Sequence, residues 1–468
     1  MYEGRIFTSK LISSTTFLTG GKDSWMVYNG TMGNKKKVKT QTAYFSIFLK
    51  TLVIVLLAGI SMLLVFAFIK NKDQAIAGLV KKEHRDFFGK QEKSASAWEE
   101  VLWDTIPASE NMENQEEEVE NDRSGEGFDE KGYLKNEKGR ILIEKREFQS
   151  DEITLLFAGD VLLDDEYAIG ATLKNRTGGV YDSFSEDALW EMQNADIFMI
   201  NNEFTYTNRG VPTAGKTYTF RADPKMVSVL DDLGVDIVSI ANNHTYDYGE
   251  VSLLDTMDTL NKAEMPFVGA GLNLEDATQT VYFQLGDVKI AFIAATQIER
   301  FDHPDTRGAT ETAPGVFRCF KETELFDRIA EAKAESDFVV TYIHWGTEST
   351  DQLDWAQPDL SRKIAEAGAD LIIGDHPHVL QPIASVSGVP VIYSLGNYWF
   401  NSGTCDTCLV KVTLLGGELK SFQFLPAQQA GCSTRLLSGP EKERVLSYMR
   451  SISETVTIDG DGFVTFIK

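Results

Sequence analysis

Residues 369–382 read ADLIIGDHPHVLQP, and two histidines follow directly behind an apolar run. Continuous apolar character is typical of a strand that is covered on both faces of its sheet. Asp375, His376 and His378 stand where that strand is expected to end. Because the whole chain of 468 residues has only six histidines, we interpret this strand end as part of a candidate site.

Similar apolar runs that end in polar residues recur from residue 151 onward. They are ITLLFAGD (153–160), ADIFMINNEF (195–204), VDIVSIANNH (235–244), DFVVTYIHWG (337–346) and VPVIYSLGNYWF (389–400). Helix-like segments separate them at 224–233, 250–263, 321–335 and 357–368. This alternation predicts an α/β fold with many parallel strands. Strands near 408–414 and 418–425 and a helix near 440–454 are expected to complete the domain.

The predicted strand ends carry residues that can bind a metal. In open α/β sheets the functional site lies at the carboxyl ends of the strands. A lone histidine or Gly-Asp there is usually structural, but buried polar groups at six corresponding ends require partners. Imidazole, carboxylate and amide ligands without thiolate favour Mn, Fe or Zn, as one or two ions. The candidate ligands are Asp160, Glu203, Asn243, His344, His376 and His378.

These residues, in this order, resemble the pattern of calcineurin-like metallophosphoesterases and, more closely, the poly-γ-glutamate capsule synthesis protein CapA family. The matching stretches lie within 153–402 and are FAGDVLL, NNEF, YTFRADP, SIANNHTYDYG, YIHWGTE, IGDHPHVLQP and SLGNYWF. The resemblance implies a metallophosphoesterase-like layered α/β sandwich as the ectodomain. It also implies that the six candidate residues bind metal, with Glu203 bridging two ions.

The resemblance further implies that His244 is a general acid, steadied by Asp247. A strand-end histidine within reach of a substrate suits that role; another metal ligand or a structural hydrogen bond are the alternatives. Leu162 departs from the family pattern, because metallophosphoesterases have a histidine at this position. Unless Asp164 or Asp165 replaces that imidazole, a full two-metal centre is in doubt.

Three further observations concern the surroundings of the site. Asp375 is expected to orient a ligand histidine. Arg221 and Lys216 are candidates for binding a phosphate or carboxylate, with a surface salt bridge as the alternative. Asn397 is expected to contact the substrate. Trp345 and Trp399 are expected to line the cleft beside it, although aromatic residues more often belong to a core.

The N-terminal third of the chain predicts a membrane anchor followed by a linker. The run LVIVLLAGISMLLVFAFI (52–69) is long enough to cross a bilayer within an anchor at 44–70. The lysines at 35–39 predict that the tail 1–43 is cytoplasmic and that the domain 151–468 is extracellular. A buried core helix or a signal cleaved near 75–77 are the alternatives. Residues 71–150 are polar and acidic, which predicts a disordered stalk, and residues 1–33 are a tail or an artefact of an early start codon.

The overall composition excludes some functions. A net charge of −25 and an isoelectric point near 4.7 argue against nonspecific binding of nucleic acid. Four cysteines are too few for a disulfide scaffold. The single CxxC at 405–408 indicates a redox pair, half of a zinc site, or two ordinary cysteines with or without a local disulfide.

Three functions fit this sequence. The first is a metal-dependent hydrolase or transferase that acts outside the cell on a phosphoester or amide bond. The second is a non-catalytic subunit that binds poly-γ-glutamate within a membrane synthesis or export complex, and the third is a degenerate structural ectodomain. The resemblance implies the membrane, the anionic polymer and its membrane synthase subunits as partners.

Overall fold

The computed structural model describes residues 150–298, 307–320 and 322–467, together with four short strands that precede residue 150. The chain divides into two compact units, Met1–Val119 and Glu120–Lys468. In the first unit, strands β1 (Leu18–Gly21) and β2 (Ser24–Val27) pair antiparallel. No helix among the described residues is both long enough and apolar enough to span a membrane. The predicted anchor at 44–70 lies outside the described residues.

The second unit contains the remaining described strands. They are β3 (Leu134–Lys135), β4 (Ile141–Lys145), β5 (Glu152–Val161), β6 (Ile197–Asn202), β7 (Thr205–Tyr206), β8 (Arg221–Ala222), β9 (Ile237–Ser239), β10 (Phe267–Val268), β11 (Ala270–Gly271), β12 (Val281–Leu285), β13 (Val288–Thr296), β14 (Gly315–Val316), β15 (Phe338–His344), β16 (Leu371–Asp375), β17 (Ile383–Val386), β18 (Val389–Ile392), β19 (Asn397–Trp399), β20 (Cys405–Leu415), β21 (Glu418–Ala430), β22 (Ser433–Leu436), β23 (Val456–Ile458) and β24 (Val464–Phe466).

The described α-helices lie between these strands. They are α1 (Ala168–Leu173), α2 (Glu186–Asn194), α3 (Ser228–Leu233), α4 (Glu250–Lys262), α5 (Leu274–Ala277), α6 (Glu322–Glu335), α7 (Gln357–Ala367) and α8 (Gly439–Ile452). Glycines end two of them, since Gly234 and Gly368 adopt the left-handed conformation after α3 and α7.

Two large mixed sheets form the centre of the second unit. The first sheet has the order β10-β9-β6-β5-β20-β21-β22, with β19 also pairing to β5. The second sheet has the order β17-β18-β16-β15-β13-β12-β4-β3. Strands β5, β6 and β9 run parallel in the first sheet, and β13, β15, β16 and β18 run parallel in the second.

The apolar side chains form three layers of core. One layer lies between the two sheets and includes Phe157 of the first sheet and Phe292 of the second. A second layer packs the outer face of the first sheet against helices that include α2 and α4. A third packs the other sheet against α6 and α7. The predicted α/β sandwich is therefore confirmed as helix, sheet, sheet and helix layers.

Several predicted boundaries need adjustment. Strand β4 pairs with β12 in the second sheet, so the folded unit begins before residue 151 and the predicted stalk at 71–150 is too long. The run 389–400 forms two strands, β18 and β19, which belong to different sheets. The antiparallel pair of β12 and β13 was not predicted. Strand β13 also pairs in parallel with β15, the strand that ends at His344.

Two tryptophans predicted at the cleft lie in the core instead. Trp345 and Trp399 are fully buried, and their indole nitrogens donate to the backbone carbonyls of Tyr393 and Cys432. Each aromatic ring therefore fills the interior with its polar group satisfied. Cys405 and Cys408 of the CxxC form no disulfide in the structure.

Candidate metal centre

The six predicted ligands lie at carboxyl ends of strands from both sheets. Asp160 is near the end of β5, Glu203 follows β6 and Asn243 lies beyond β9 in the first sheet. His344 is the last residue of β15, while His376 and His378 follow β16 in the second sheet. A hydrogen bond of 2.9 Å from the Tyr342 hydroxyl to the Ala158 carbonyl links the two sheets below this edge.

Three side-chain atoms lie within 3.0 Å of the ring nitrogens of His344. Its Nε2 lies 2.7 Å from Asn243 Oδ1 and 3.0 Å from His376 Nδ1. Its Nδ1 lies 2.9 Å from Asp375 Oδ1. A carboxylate on one ring nitrogen leaves the other nitrogen as the ligand atom, which is the usual arrangement of a metal-binding histidine. Asp375 therefore stands in the orienting position that the sequence predicts.

A second group of donor atoms converges around His378. Its Nδ1 lies 3.0 Å from Asp160 Oδ2 and 2.9 Å from Asn397 Oδ1. Asp160 is fully buried and Asn397 is nearly so. Strand pairing explains the proximity, because Asn397 of β19 is the register partner of Asp160 in β5.

Glu203 lies between the two groups. Its Oε1 is buried and has no hydrogen-bond partner among the described residues. The same oxygen is 3.8 Å from His344 Nε2, 3.8 Å from His244 Nε2 and 4.0 Å from His378 Nε2. A buried carboxylate oxygen without a partner is costly, and a divalent cation would supply the missing partner.

Three fully buried carboxylates lie together in the centre, where they cannot all ionise cheaply without a cation. Burial raises the pKa of Glu203 and of Asp375 well above the usual range, and the nearby Asp160 charge raises both further. Burial opposes ionisation of Asp160 as well, but the hydrogen bond and charge of His378 outweigh it and hold its pKa below its ordinary value. Such clustering of like charges is typical of a site that holds a cation.

Two of the three ligand histidines favour the neutral form that binds metal. Burial, with the neighbouring His378, lowers the pKa of His376 to about 3. Burial and His376 likewise lower the pKa of His344. For His378, burial is outweighed by the hydrogen bond and charge of Asp160, so its pKa is raised. Carboxylate, amide and neutral imidazole donors, with an orphaned Glu203 oxygen, together fit a divalent transition ion.

The backbone at His376 and His378 is strained. His376 and His378 have φ values of 92° and 60°, a left-handed region that residues other than glycine seldom adopt. The intervening Pro377 accepts a hydrogen bond from the backbone of Ser349. Strain of this kind concentrates at functional sites, where the surrounding contacts hold it in place.

His244 belongs to a separate hydrogen-bonded group beside the ligands. Its Nδ1 is 2.6 Å from Asp247 Oδ2, and its ring stacks on Phe220 at 4.3 Å. Asp247 also pairs with the Lys216 ammonium at 2.5 Å and accepts from the Phe220 backbone at 2.6 Å. Burial lowers the pKa of His244, and the Asp247 charge opposes that shift. The Nε2 atom faces Glu203, so it is the nitrogen available to a substrate.

The two predicted substrate cations have other partners. Lys216 is almost completely buried and binds both Asp247 and the backbone carbonyl of Asn243. Arg221 lies over the Tyr248 ring at 4.4 Å and 3.8 Å from Glu166. Lys216 is therefore an interior ion-pair residue, and Arg221 remains partly exposed.

Neither aspartate that follows Leu162 replaces the missing imidazole. Asp164 accepts the backbone N–H groups of Arg221 and Glu166, both at 2.7 Å, with separate oxygens. Asp165 pairs with Lys174 at the surface. Leu162 itself is buried in the layer of core beneath the helices.

Two asparagines extend the site beyond the sequence prediction. Asn201 donates to Asp160 at 2.9 Å and lies 3.3 Å from Glu203. Asn242 donates to Asn201 and accepts from the backbone of His244. The signal for both was present, because each is the first residue of an Asn-Asn pair before a predicted ligand or general acid. These amides fix the carboxylates and His244 in place.

Comparison with known proteins identifies the family. The family model described as "Bacterial capsule synthesis protein PGA_cap" matches residues 154–402. Since that match spans more than half of the chain, the protein belongs to this family of bacterial capsule synthesis proteins. Membership in the CapA family, predicted from the motifs, is therefore confirmed.

Individual relatives agree with this assignment. "PGA biosynthesis protein CapA" of Bacillus subtilis is 30% identical over 284 residues, which cover 60% of this chain and 72% of that protein. "Capsule biosynthesis protein CapA" of Bacillus anthracis is 28% identical over 310 residues, covering 64% and 72%. Among solved structures, TT1561 of Thermus thermophilus matches with a TM-score of 0.32 and 11% identity, covering 56% of this chain and 99% of that one.

Proposed function

We propose that this protein takes part in poly-γ-glutamate capsule synthesis and that its folded unit is a metal-dependent hydrolase or transferase. The names of its relatives support the polymer context. One observation supports catalysis most directly, namely that His244, a histidine paired with Asp247, faces the same unpartnered Glu203 oxygen as the ligand histidines. The scissile bond is a phosphoester or an amide of the anionic polymer.

The donor set specifies which residues would hold the metal. They are Asp160, Glu203, Asn243, His344, His376 and His378. Bound there, one or two Mn, Fe or Zn ions supply Lewis-acid polarisation of the scissile group and a water of lowered pKa. Asn201 and Asp375 hold the ligand side chains in orientation through their hydrogen bonds.

His244 transfers the proton in this proposal. Asp247 accepts from Nδ1, which fixes the ring and stabilises its protonated form. Nε2 then gives its proton to the leaving oxygen or nitrogen. Lys216 and the Phe220 backbone N–H hold the Asp247 carboxylate in turn, so that the histidine keeps one orientation.

A polymer-binding subunit without catalysis is the competing function. A protein of Mycobacterium tuberculosis that is 27% identical over 283 residues, covering 57% of this chain and 74% of that protein, is named "Probable polyglutamine synthesis accessory protein". A pure binder of an anionic polymer requires cations that face solvent. At this site Lys216 is engaged with Asp247 in the interior and Arg221 is only partly exposed beside Glu166, which favours the enzyme.

The decisive experiment separates metal binding from turnover. The purified full chain, loaded with Mn²⁺, Fe²⁺ or Zn²⁺, would be assayed on a phosphodiester and on a γ-glutamyl oligomer. We expect His244→Ala to keep the metal measured by elemental mass spectrometry and to lose at least about 100-fold in activity. His376→Ala/His378→Ala should lose both, and His84→Ala, outside the family match, should lose neither. Wild-type protein that binds metal without turning over either substrate would favour the binding subunit.

We also propose a membrane-anchored, extracellular location, which rests on the apolar run 52–69 and the lysines before it. The test is alkaline carbonate extraction of membranes together with protease treatment of intact cells. Full-length protein should resist extraction, and protease should remove the family-matched domain. Release of the protein by carbonate, or protection of that domain in intact cells, would contradict the proposal.

A further inference from the structure

An exposed tyrosine lies at the outer end of a short stack of rings that begins at the proposed general acid. The His244 ring packs on the Phe220 ring, with 4.3 Å between their centroids and an interplanar angle of 28°. The Phe220 ring lies 6.4 Å from that of Tyr218, at an angle of 24°. Phe220 is 4% exposed, whereas Tyr218 is 60% exposed. The stack therefore leads from the interior of the site to solvent.

The loop between β7 and β8, which carries Tyr218, is bound to the partner of the general acid. Lys216 pairs with one carboxylate oxygen of Asp247 at 2.5 Å. The Phe220 backbone N–H donates to the other oxygen at 2.6 Å, and this oxygen also lies 2.6 Å from His244 Nδ1. A single exposed tyrosine is ordinary on a protein surface. This one is held on both sides by contacts that also orient the general acid.

The general acid marks the side of the site from which the leaving group departs. A general acid must lie within hydrogen-bond reach of the atom that it protonates. The Nε2 of His244 faces the Glu203 Oε1 at 3.8 Å, while Nδ1 is engaged with Asp247. The leaving part of a substrate is therefore expected beside His244. A leaving part that is longer than one unit would continue along the neighbouring rings toward Tyr218.

A tyrosine at this position suits a γ-glutamyl chain as the leaving part. Each unit of such a chain carries methylene groups and an α-carboxylate. Methylene groups gain free energy when an aromatic face removes them from water. The tyrosine hydroxyl is a hydrogen-bond donor that a carboxylate accepts. A phosphoester of a small alcohol has a leaving group too short to extend past Phe220 to this ring.

We propose that Tyr218 is a specificity-determining residue that binds the leaving side of a γ-glutamyl chain. This inference rests on the proposed hydrolase, and it selects the amide of the polymer as the scissile bond. The bond between the γ-carbonyl carbon and the amide nitrogen breaks, and the oxygen of water bonds to that carbon. His244 gives its proton to the leaving nitrogen and regains a proton from the water.

The test compares a γ-glutamyl dimer with a γ-glutamyl hexamer as substrates of the full chain loaded with Mn²⁺. The leaving group of the dimer is a single glutamate, which ends beside His244. For the hexamer we expect Tyr218→Ala to raise KM about 10-fold and to keep kcat within about twofold. For the dimer, KM should change by less than about twofold, because no methylene group reaches the ring.

Two further variants serve as controls. Tyr218→Phe keeps the ring and removes only the hydroxyl, so it should raise KM for the hexamer by about threefold or less. Tyr181→Ala removes another exposed tyrosine, whose hydroxyl lies 3.3 Å from Asp232, and should change neither constant. Because Tyr218 is mostly in solvent, the thermal midpoint of Tyr218→Ala should match that of the wild type.

Other kinetic results would overturn the inference in distinguishable ways. An equal rise in KM for dimer and hexamer, or no rise for either, would show that Tyr218 does not read the length of the leaving chain. Turnover of a phosphodiester without turnover of either γ-glutamyl substrate would also overturn it. In that case the proposed metal-dependent hydrolase would still stand.

Equilibrium binding decides the question if the wild type turns over no substrate. Fluorescence anisotropy of a labelled hexamer would compare His244→Ala with His244→Ala/Tyr218→Ala, both loaded with Mn²⁺. We expect binding to be about 10-fold weaker in the double variant. Equal dissociation constants, or no binding of the hexamer to either variant, would overturn the role of Tyr218. The absence of turnover itself would contradict only the proposed catalysis.

Discussion

Lys216 and Asp247 form a buried ion pair beside His244, and the stability of the protein depends on both members. Removing the ammonium leaves a carboxylate in the interior without its cation. We expect Lys216→Met to lower the free energy of unfolding by roughly 3–5 kcal/mol, measured by urea denaturation. Lys216→Arg should lose less, since the charge is kept.

The exposed pair between Lys262 and Asp258 is the matched control for this prediction. Both side chains are mostly in solvent, so Lys262→Met should cost less than about 1 kcal/mol. Equal effects of the two substitutions would mean that the buried pair contributes little to folding. His244 would then owe its orientation to Asp247 and Phe220 alone.

Asp164 predicts a measurable dependence of stability on pH. Burial, opposed by the backbone N–H of Arg221, raises its pKa from 3.8 to about 6. The folded state therefore binds this proton more tightly than the unfolded state, and the resulting stabilisation is lost as the pH rises through 6. Relative to Asp164→Asn, which cannot titrate, the wild type should lose on the order of 1 kcal/mol between pH 4 and pH 7.

Unfolding free energies of both proteins at several pH values test this sign. The difference between them should be flat below about pH 3 and above pH 7, which provides an internal control. A difference that stayed constant across the whole range, or that grew toward low pH in favour of the variant, would refute the raised pKa.

At the scale of elements, the contact between β5 and β19 assembles half of the centre. Gly159 precedes Asp160 in β5, and a Cβ there would lie 2.1 Å from the carbonyl oxygen of Gly396. Gly159→Ala should therefore push β19 away, with a loss of roughly 1–3 kcal/mol in the free energy of unfolding. The bound metal should also decrease, because Asn397 and Asp160 would separate.

Gly460→Ala is the control, since a Cβ at that position meets no atom within 4 Å. Chemical denaturation and elemental analysis of both variants check the prediction. If Gly159→Ala retained wild-type stability and metal content, the close approach of the two strands would not be required for the site.

The sequence predicted the strands that end in ligands better than the remaining elements. Burial on both faces leaves a continuous apolar run, and the change to polar residues at its end is visible in one dimension. The hairpin of β12 and β13 was not predicted because VKIAFIAAT (288–296) ends in Thr296, which is not a candidate metal ligand. The split at 389–400 depends on Gly396, whose φ of 72° turns the chain from one sheet to the other.

Hydrogen-bond partners within the site were harder to predict than its ligands. Lys216 was expected to bind substrate, but it lies 31 positions before Asp247, its partner in the interior. Trp345 and Trp399 flank the site in sequence, yet alternation along each strand directs them into the core. Asn397 was predicted to contact the substrate, and its register pairing with Asp160 of β5 could not be read from the sequence.

At the scale of the whole molecule, three carboxylates are buried together at the candidate metal centre of a chain with a net charge of −25. Because the pKa of Glu203 and of Asp375 is raised there, ionising all three carboxylates costs free energy until a cation is bound. The metal is therefore expected to stabilise the fold as well as serve chemistry. A free ion at 100 times its dissociation constant contributes about 2.7 kcal/mol. For a unit of this size we expect the thermal midpoint to rise by roughly 3–5 °C.

Differential scanning fluorimetry of the full chain with Mn²⁺, with Zn²⁺ and with a chelator measures this shift. Glu203→Gln replaces a buried carboxylate with a neutral amide of the same shape, so without metal it should melt at least as high as the wild type. The same variant should lose most of the shift on adding metal, while His84→Ala should keep it. A midpoint that neither ion changes would mean that protons neutralise the buried carboxylates. That result would contradict the metal centre and, with it, the proposed metal-dependent hydrolase.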